Sequence, residues 1–109
     1  FIFSIDLAKL MIWTLRSYDE ADPIILSVGE ADEMTIKDVA YGVSRALGIP
    51  DEKVKFDTTK ADGQYKKTAN NAKLMKLNPD FKFTPFNEGI DTTVKWFMEN
   101  YDKEGGIRK

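Results

Sequence analysis

The sequence predicts an α/β fold, and three observations predict it. Two short runs, Ile24 to Val28 and Val54 to Asp57, have the composition or alternation of strands. Four longer stretches repeat apolar residues at helical spacing. The order is helix, strand, helix, strand, helix, helix. Two short strands make a poor free-standing sheet, so they are expected to extend a sheet supplied by something else. On that reading the chain is one portion of a larger protein.

Phe1-Ile2-Phe3 is expected to be the end of a strand, and a chain that starts there without Met fits a fragment. Ser4 or Asp6 can cap the first helix. Leu7, Leu10, Met11, Thr14, Leu15 and Tyr18 form an amphipathic stripe from about residue 6 to 18. Asp19 to Pro23 ends it. The β-branched run from Ile24 to Val28 stops at Gly29.

Thr35 and Asp38 then form a variant of the capping box, with Met34 and Val39 placed as a hydrophobic staple. Ile36, Val39, Ala40, Val43, Ala46 and Leu47 make the apolar face of this second helix. Gly48 supplies the left-handed end, and Pro50 forbids continuation. A short helix is expected over about 69–77, closed by Pro79. Thr84-Pro85 starts the last helix, because Thr caps and Pro suits the first helical position. Its stripe is Ile90, Val94, Phe97, Met98 and Tyr101. Trp13, Trp96 and Phe97 are expected to pack in a core, and Gly105-Gly106 with the basic tail to fray.

Composition closes off several functions. The 109 residues suit one small domain, and 42% hydrophobic with 12% aromatic residues can build a core. Sixteen basic and eighteen acidic side chains leave a net charge of −2, with no electrostatic footprint for nucleic acid or anionic membrane. Phe81-Lys82-Phe83 resembles basic–aromatic interleaving, but with no net positive charge behind it nucleic-acid binding is not expected. The apolar stretch Leu7 to Leu15 is broken by Lys9 and too short to span a bilayer. It lacks a signal-peptide cleavage pattern. A cytoplasmic location is the default expectation. With no cysteine and no histidine, the segment has no thiol nucleophile, no disulfide and no imidazole acid–base group.

Gly29-Glu30-Ala31-Asp32-Glu33 lies where a dinucleotide fingerprint would sit between strand and helix. It lacks the glycines, and its carboxylates would repel a pyrophosphate. An acidic turn favoured by the helix dipole is the better reading, and no metal site is expected. The polar loop from Phe56 to Lys67 is the most site-like segment. Ligands in open α/β sheets bind beyond the carboxyl ends of strands. Asp62 can accept from ribose or sugar hydroxyls. Lys60, Lys66 and Lys67 can meet phosphate oxygens, and Tyr65 can stack or donate. A lysine-rich polar loop is more often just solvated.

D-L-A-x-L, I-L-S-V-G and T-I-K-x-V-A resemble the C-terminal region of extended short-chain dehydrogenases acting on nucleotide sugars, which have a Rossmann-like NAD(P)-binding fold. FDTTKADGQYKKTANNAKL, with PDFKFTPFNEGIDTTVKWFMENY after it, is very similar to the GDP-L-fucose synthase family. The resemblance runs from Phe1 to Tyr101. It implies a homodimeric, NADP-dependent epimerase and reductase whose cofactor domain and catalytic Ser, Tyr, Lys, Cys and His precede this segment. Residues 1–109 would then be the C-terminal substrate-binding portion, contributing no catalytic, cofactor or metal ligand and inactive alone. The resemblance carries over Asp62 as a GDP-sugar contact, Lys67 as a basic group near the substrate phosphates, and Gly63 as the residue that lets the loop turn tightly. Another nucleotide-sugar epimerase or dehydratase, and a non-catalytic interaction module, are the competing readings.

Overall fold

A computed structural model describes residues 1–61, 63 and 68–106. Their helices are α1 (Ser4–Ser17), α2 (Ile36–Ala46), α3 (Ala72–Leu77) and α4 (Phe86–Asn100), with 3-10 turns at Glu30–Asp32 and Asp51–Lys53. The four expected helices are present within a few residues. The expected strands are not: among the described residues no segment forms a strand. Residues 1–3, 24–28 and 54–57 lie outside any helix and have no ladder partner among the described residues. β-branched composition favours extended backbone, but a strand exists only when a second strand takes up its N–H and C=O groups.

The chain forms two compact units. The first comprises Phe1–Met34 and Ala61–Thr84. Its fully buried apolar side chains are Leu10 on α1 and Leu74 on α3, both 0% exposed. Beside them in burial stands a carboxylate, Asp6, at 1% exposure. It is satisfied across a long stretch of sequence: the Thr84 N–H donates to Oδ2 at 2.6 Å and the Thr84 hydroxyl to Oδ1 at 3.0 Å. Lys9 Nζ stands 4.0 Å from Oδ1. Neither Ser4 nor Asp6 caps α1. Phe3 is the N-cap, with no side-chain hydrogen bond. Asp6 sits in the first turn, where a negative charge suits the helix dipole. The expected stripe is split, because Leu10 is buried while Met11 (55%) and Leu15 (88%) are exposed.

The second unit comprises Thr35–Lys60 and Pro85–Lys109. The capping box forms as expected. Asp38 N–H donates to Thr35 Oγ1 at 3.1 Å, and Thr35 N–H donates to Asp38 Oδ2 at 2.9 Å. The Thr35 hydroxyl adds a 2.6 Å bond to the same oxygen. Bonding to the Thr35 side chain and backbone holds the Asp38 carboxyl below its ordinary pKa. This depressed-carboxylate contribution is present above the unfolded pKa and is lost as pH falls through the folded one. At the other end Gly48 takes φ +68°, Ile49 N–H bonds Ser44 C=O and Gly48 N–H bonds Arg45 C=O. That is the Schellman arrangement.

α2 packs on α4 through its smallest residue. A Cβ on Gly42 would meet the Phe86 ring at 3.1 Å and Ile90 at 3.7 Å. Arg45 Nη2 pairs with Asp91 at 2.8 Å on the exposed rim. Gly42→Val should therefore destabilise the unit by about 2 kcal/mol through overpacking, against the helix propensity it gains. Urea denaturation followed by circular dichroism checks this; an unchanged midpoint would mean the α2–α4 approach is looser than described.

Thr84 does not cap α4. Pro85 is the N-cap and has no polar side-chain atom to bond with, while the Thr84 hydroxyl is committed to Asp6 in the first unit. The stripe of α4 is only partly covered: Phe97, Met98 and Tyr101 are exposed, and so is Trp96. The core role expected for Trp96 and Phe97 is thus not met within this chain, while Trp13 is half-buried. Gly105 and Gly106 form a turn instead of fraying, with Gly105 at φ +73° and Gly106 N–H bonded to Lys103 C=O. The basic tail 107–109 lies outside the described residues. Among the described residues no helix is long and apolar enough to cross a membrane.

Candidate functional site

The loop singled out in the sequence, Phe56 to Lys67, is built from its two flanks. On the second unit's side Phe56 sets its ring edge-on to Tyr41, centroids 5.9 Å apart. Asp57 then folds the chain into an Asx turn. Its Oδ1 accepts from Thr59 N–H at 3.0 Å and from the Thr59 hydroxyl at 2.6 Å. These bonds hold the Asp57 carboxyl below its ordinary pKa, so at neutral pH it is an anion already occupied by its own loop. Thr58, Thr59 and Lys60 are exposed.

On the first unit's side, the chain leaving the loop is fastened at three points. Asn70 Oδ1 accepts from Ala72 N–H at 2.9 Å, a local turn just ahead of α3, whose N-cap Asn71 makes no side-chain cap bond. Asn71 Nδ2 donates to Ser27 C=O at 3.0 Å. Asn71 lies so close to Gly29 that a Cβ there would meet its Oδ1 at 3.2 Å. Lys73 Nζ stands 2.8 Å from Glu20 Oε2 and donates to the Tyr18 hydroxyl at 2.6 Å, with Nζ 5.1 Å from the Tyr18 ring centroid. The Tyr18 hydroxyl in turn donates to Asp22 C=O. The hydrogen bond with Glu20, then that with Tyr18, pushes the Lys73 ammonium pKa up. Lys73 is therefore a fixed cation, not a proton donor near neutral pH.

Of the three proposed substrate-binding residues, Asp62 and Lys67 lie outside the described residues, as do Tyr65 and Lys66. Gly63 is described. It does not adopt positive φ, and an added Cβ would meet nothing within 4 Å. Neither a left-handed turn nor a close approach requires glycine there within the described residues. The clasps at Asn71 and Lys73 were not legible in the sequence. Each pairs residues more than forty positions apart, and periodicity carries no signal for such pairs.

A nicotinamide dinucleotide does not fit the one turn placed to receive it. Gly29–Glu33 forms a 3-10 turn carrying Glu30 and Asp32. Glu33 follows directly, and the capping box after it commits the Thr35 and Asp38 amides and adds a fourth carboxylate. Among the described residues, no group of three or more acidic side chains is placed to hold a metal ion.

This helical architecture is consistent with the C-terminal part of an extended short-chain dehydrogenase. Its homologues are GDP-L-fucose synthases. The chain is 53% identical over 102 residues to the GDP-L-fucose synthase of Dictyostelium discoideum, covering 94% of this chain and 32% of that protein. It is 52% identical over 103 residues to the probable GDP-L-fucose synthase of Drosophila melanogaster, again at 94% and 32%. Among solved structures, the GDP-L-fucose synthetase of Naegleria fowleri bound to NADP superposes with a TM-score of 0.89 at 47% identity, over 94% of this chain and 30% of that one. The chain spans about a third of the length of these relatives, and the match falls on their C-terminal part. No family model matches it.

Proposed function

We propose that the chain is the GDP-sugar-binding C-terminal portion of a GDP-L-fucose synthase, preceded in the whole protein by an NADP-binding Rossmann domain. The whole enzyme would convert GDP-4-keto-6-deoxy-D-mannose to GDP-L-fucose by epimerisation and NADPH-dependent reduction, as a cytoplasmic homodimer. The observation that carries this reading is identity above 50% across 94% of the chain to proteins of that name. The NADP-bound neighbour supports the cofactor.

Within that enzyme, this segment binds and orients. Asp62 accepts from a sugar hydroxyl and Lys67 meets the diphosphate, with Gly63 between them. Each flank of the loop is anchored within its own unit: Phe56 against Tyr41 in the second, Asn71 and Lys73 in the first. Proton transfer and hydride transfer belong to the preceding domain, since this segment has no histidine and no cysteine, and its acidic turn at Glu30–Asp32 does not suit a dinucleotide.

Two experiments test the proposal. Full-length protein incubated with GDP-4-keto-6-deoxy-D-mannose and NADPH should yield GDP-L-fucose; no product would overturn the assignment. Lys67→Ala should weaken GDP-sugar binding by about tenfold, the order lost when one charge-assisted contact is removed, with little change in melting temperature. Unchanged binding in calorimetry would remove Lys67 from the site.

A further inference from the structure

α1 is built the wrong way round for a surface helix. Such helices turn an apolar stripe inward and a charged face to water. Here the inward side carries Asp6 and Thr14 beside Leu10. The outward side carries Ile5, Ala8, Met11, Ile12 and Leu15, at spacings of three and four residues, with Phe1 just before them. All of these are exposed, Leu15 to 88%. From Ile5 to Leu15 this makes an apolar seam about 15 Å long. A helix that is apolar on its outer face as well is one made to be buried on both sides.

We infer that the outer face of α1 is the docking surface for the domain that precedes this segment in the same chain, through an apolar surface on that domain. The inference rests on the reading of the chain as the C-terminal part of a synthase. One further observation chooses this occupant. The relatives carry about twice as much chain again outside the matched region, and the match falls on their C-terminal part. Linked domains meet at high effective concentration, so a seam of this modest size suffices in cis where it would be weak between separate molecules.

The other side of the helix, with the residues just past its end, holds the chain that follows the candidate loop. Asp6 on α1 holds Thr84, and Tyr18 and Glu20, beyond the end of α1, hold Lys73 on α3. Docking α1 therefore also sets the position of the segment that follows the GDP-sugar loop, relative to the domain that would hold the cofactor.

Peroxide oxidation of Met11, read by peptide mass spectrometry on full-length protein, tests this. Met11 is 55% exposed with its own segment alone around it. The expected result is oxidation at least about tenfold slower in the native protein than in denaturant, at every protein concentration. Leu15→Asp in the full-length protein should remove most of that protection. Met11 oxidised within about twofold of the denatured rate would overturn the inference. Protection that vanishes when the protein is diluted to monomer would overturn it too, since a second copy would then cover the face. Product formation by the same preparation is scored separately, so a failure of docking is distinguishable from a failure of the synthase assignment.

Discussion

Asp6→Ala lowers the unfolding free energy of the chain by about 3 kcal/mol. The magnitude follows from what is removed. The carboxylate is 1% exposed and takes both the N–H and the hydroxyl of Thr84. Hydrogen bonds to a charged group contribute roughly 1.5–3 kcal/mol each, and buried donors left without an acceptor cost more than the bond itself. Against this stands the desolvation of the carboxylate, which the alanine variant no longer bears. The bonds win because both oxygens are satisfied. Asp6→Asn keeps the size and one acceptor, and should lose less. Chemical denaturation with matched slopes gives the measurement; a loss under about 0.5 kcal/mol for alanine would make the Asp6–Thr84 tie a bystander.

Leu10→Ala should cost about as much, roughly 2–5 kcal/mol, for a different reason. Leu10 and Leu74 are the fully buried apolar side chains of the first unit. With a core this thin, little neighbouring mass can collapse into the vacated space. Leu15→Ala on the same helix is the control. At 88% exposure it should change the stability of the chain alone by less than about 0.5 kcal/mol. A larger effect for Leu15 than for Leu10 would invert the assignment of the two faces of α1.

These two substitutions mark where sequence reasoning reaches and where it stops. The ends of α2 were legible because their signals are local: Thr35 with Asp38, and Gly48 with Pro50, lie within a turn of the helix they bound. Its face was not: Ile36 and Leu47 of the expected apolar face are exposed, while Gly42 and Ser44 are buried. α1 was legible as a helix but not as a two-faced one. Leu10, Met11 and Leu15 share a stripe in sequence, yet only Leu10 is covered. Which neighbour covers a stripe is a property of the fold. Asp6 and Thr84 both read as helix caps, since each residue type caps well. Instead they bond each other across 78 positions, a partnership that propensity cannot register. The expected strands find no partner among the described residues, for a related reason. Ile24 to Val28 encodes willingness to extend, while the ladder that makes a strand needs a second chain segment. Of the candidate site, the flanking anchors are described, while Asp62 and Lys67 fall outside the described residues.

The central claim is that this segment holds a GDP-sugar. Calorimetric titration of the full-length protein with GDP-L-fucose and, in parallel, with UDP-galactose tests it most directly. The account predicts saturable binding of the GDP-sugar, at least about tenfold tighter than the UDP-sugar, which corresponds to about 1.4 kcal/mol. Equal affinity for the two, or preference for UDP-galactose, would contradict it.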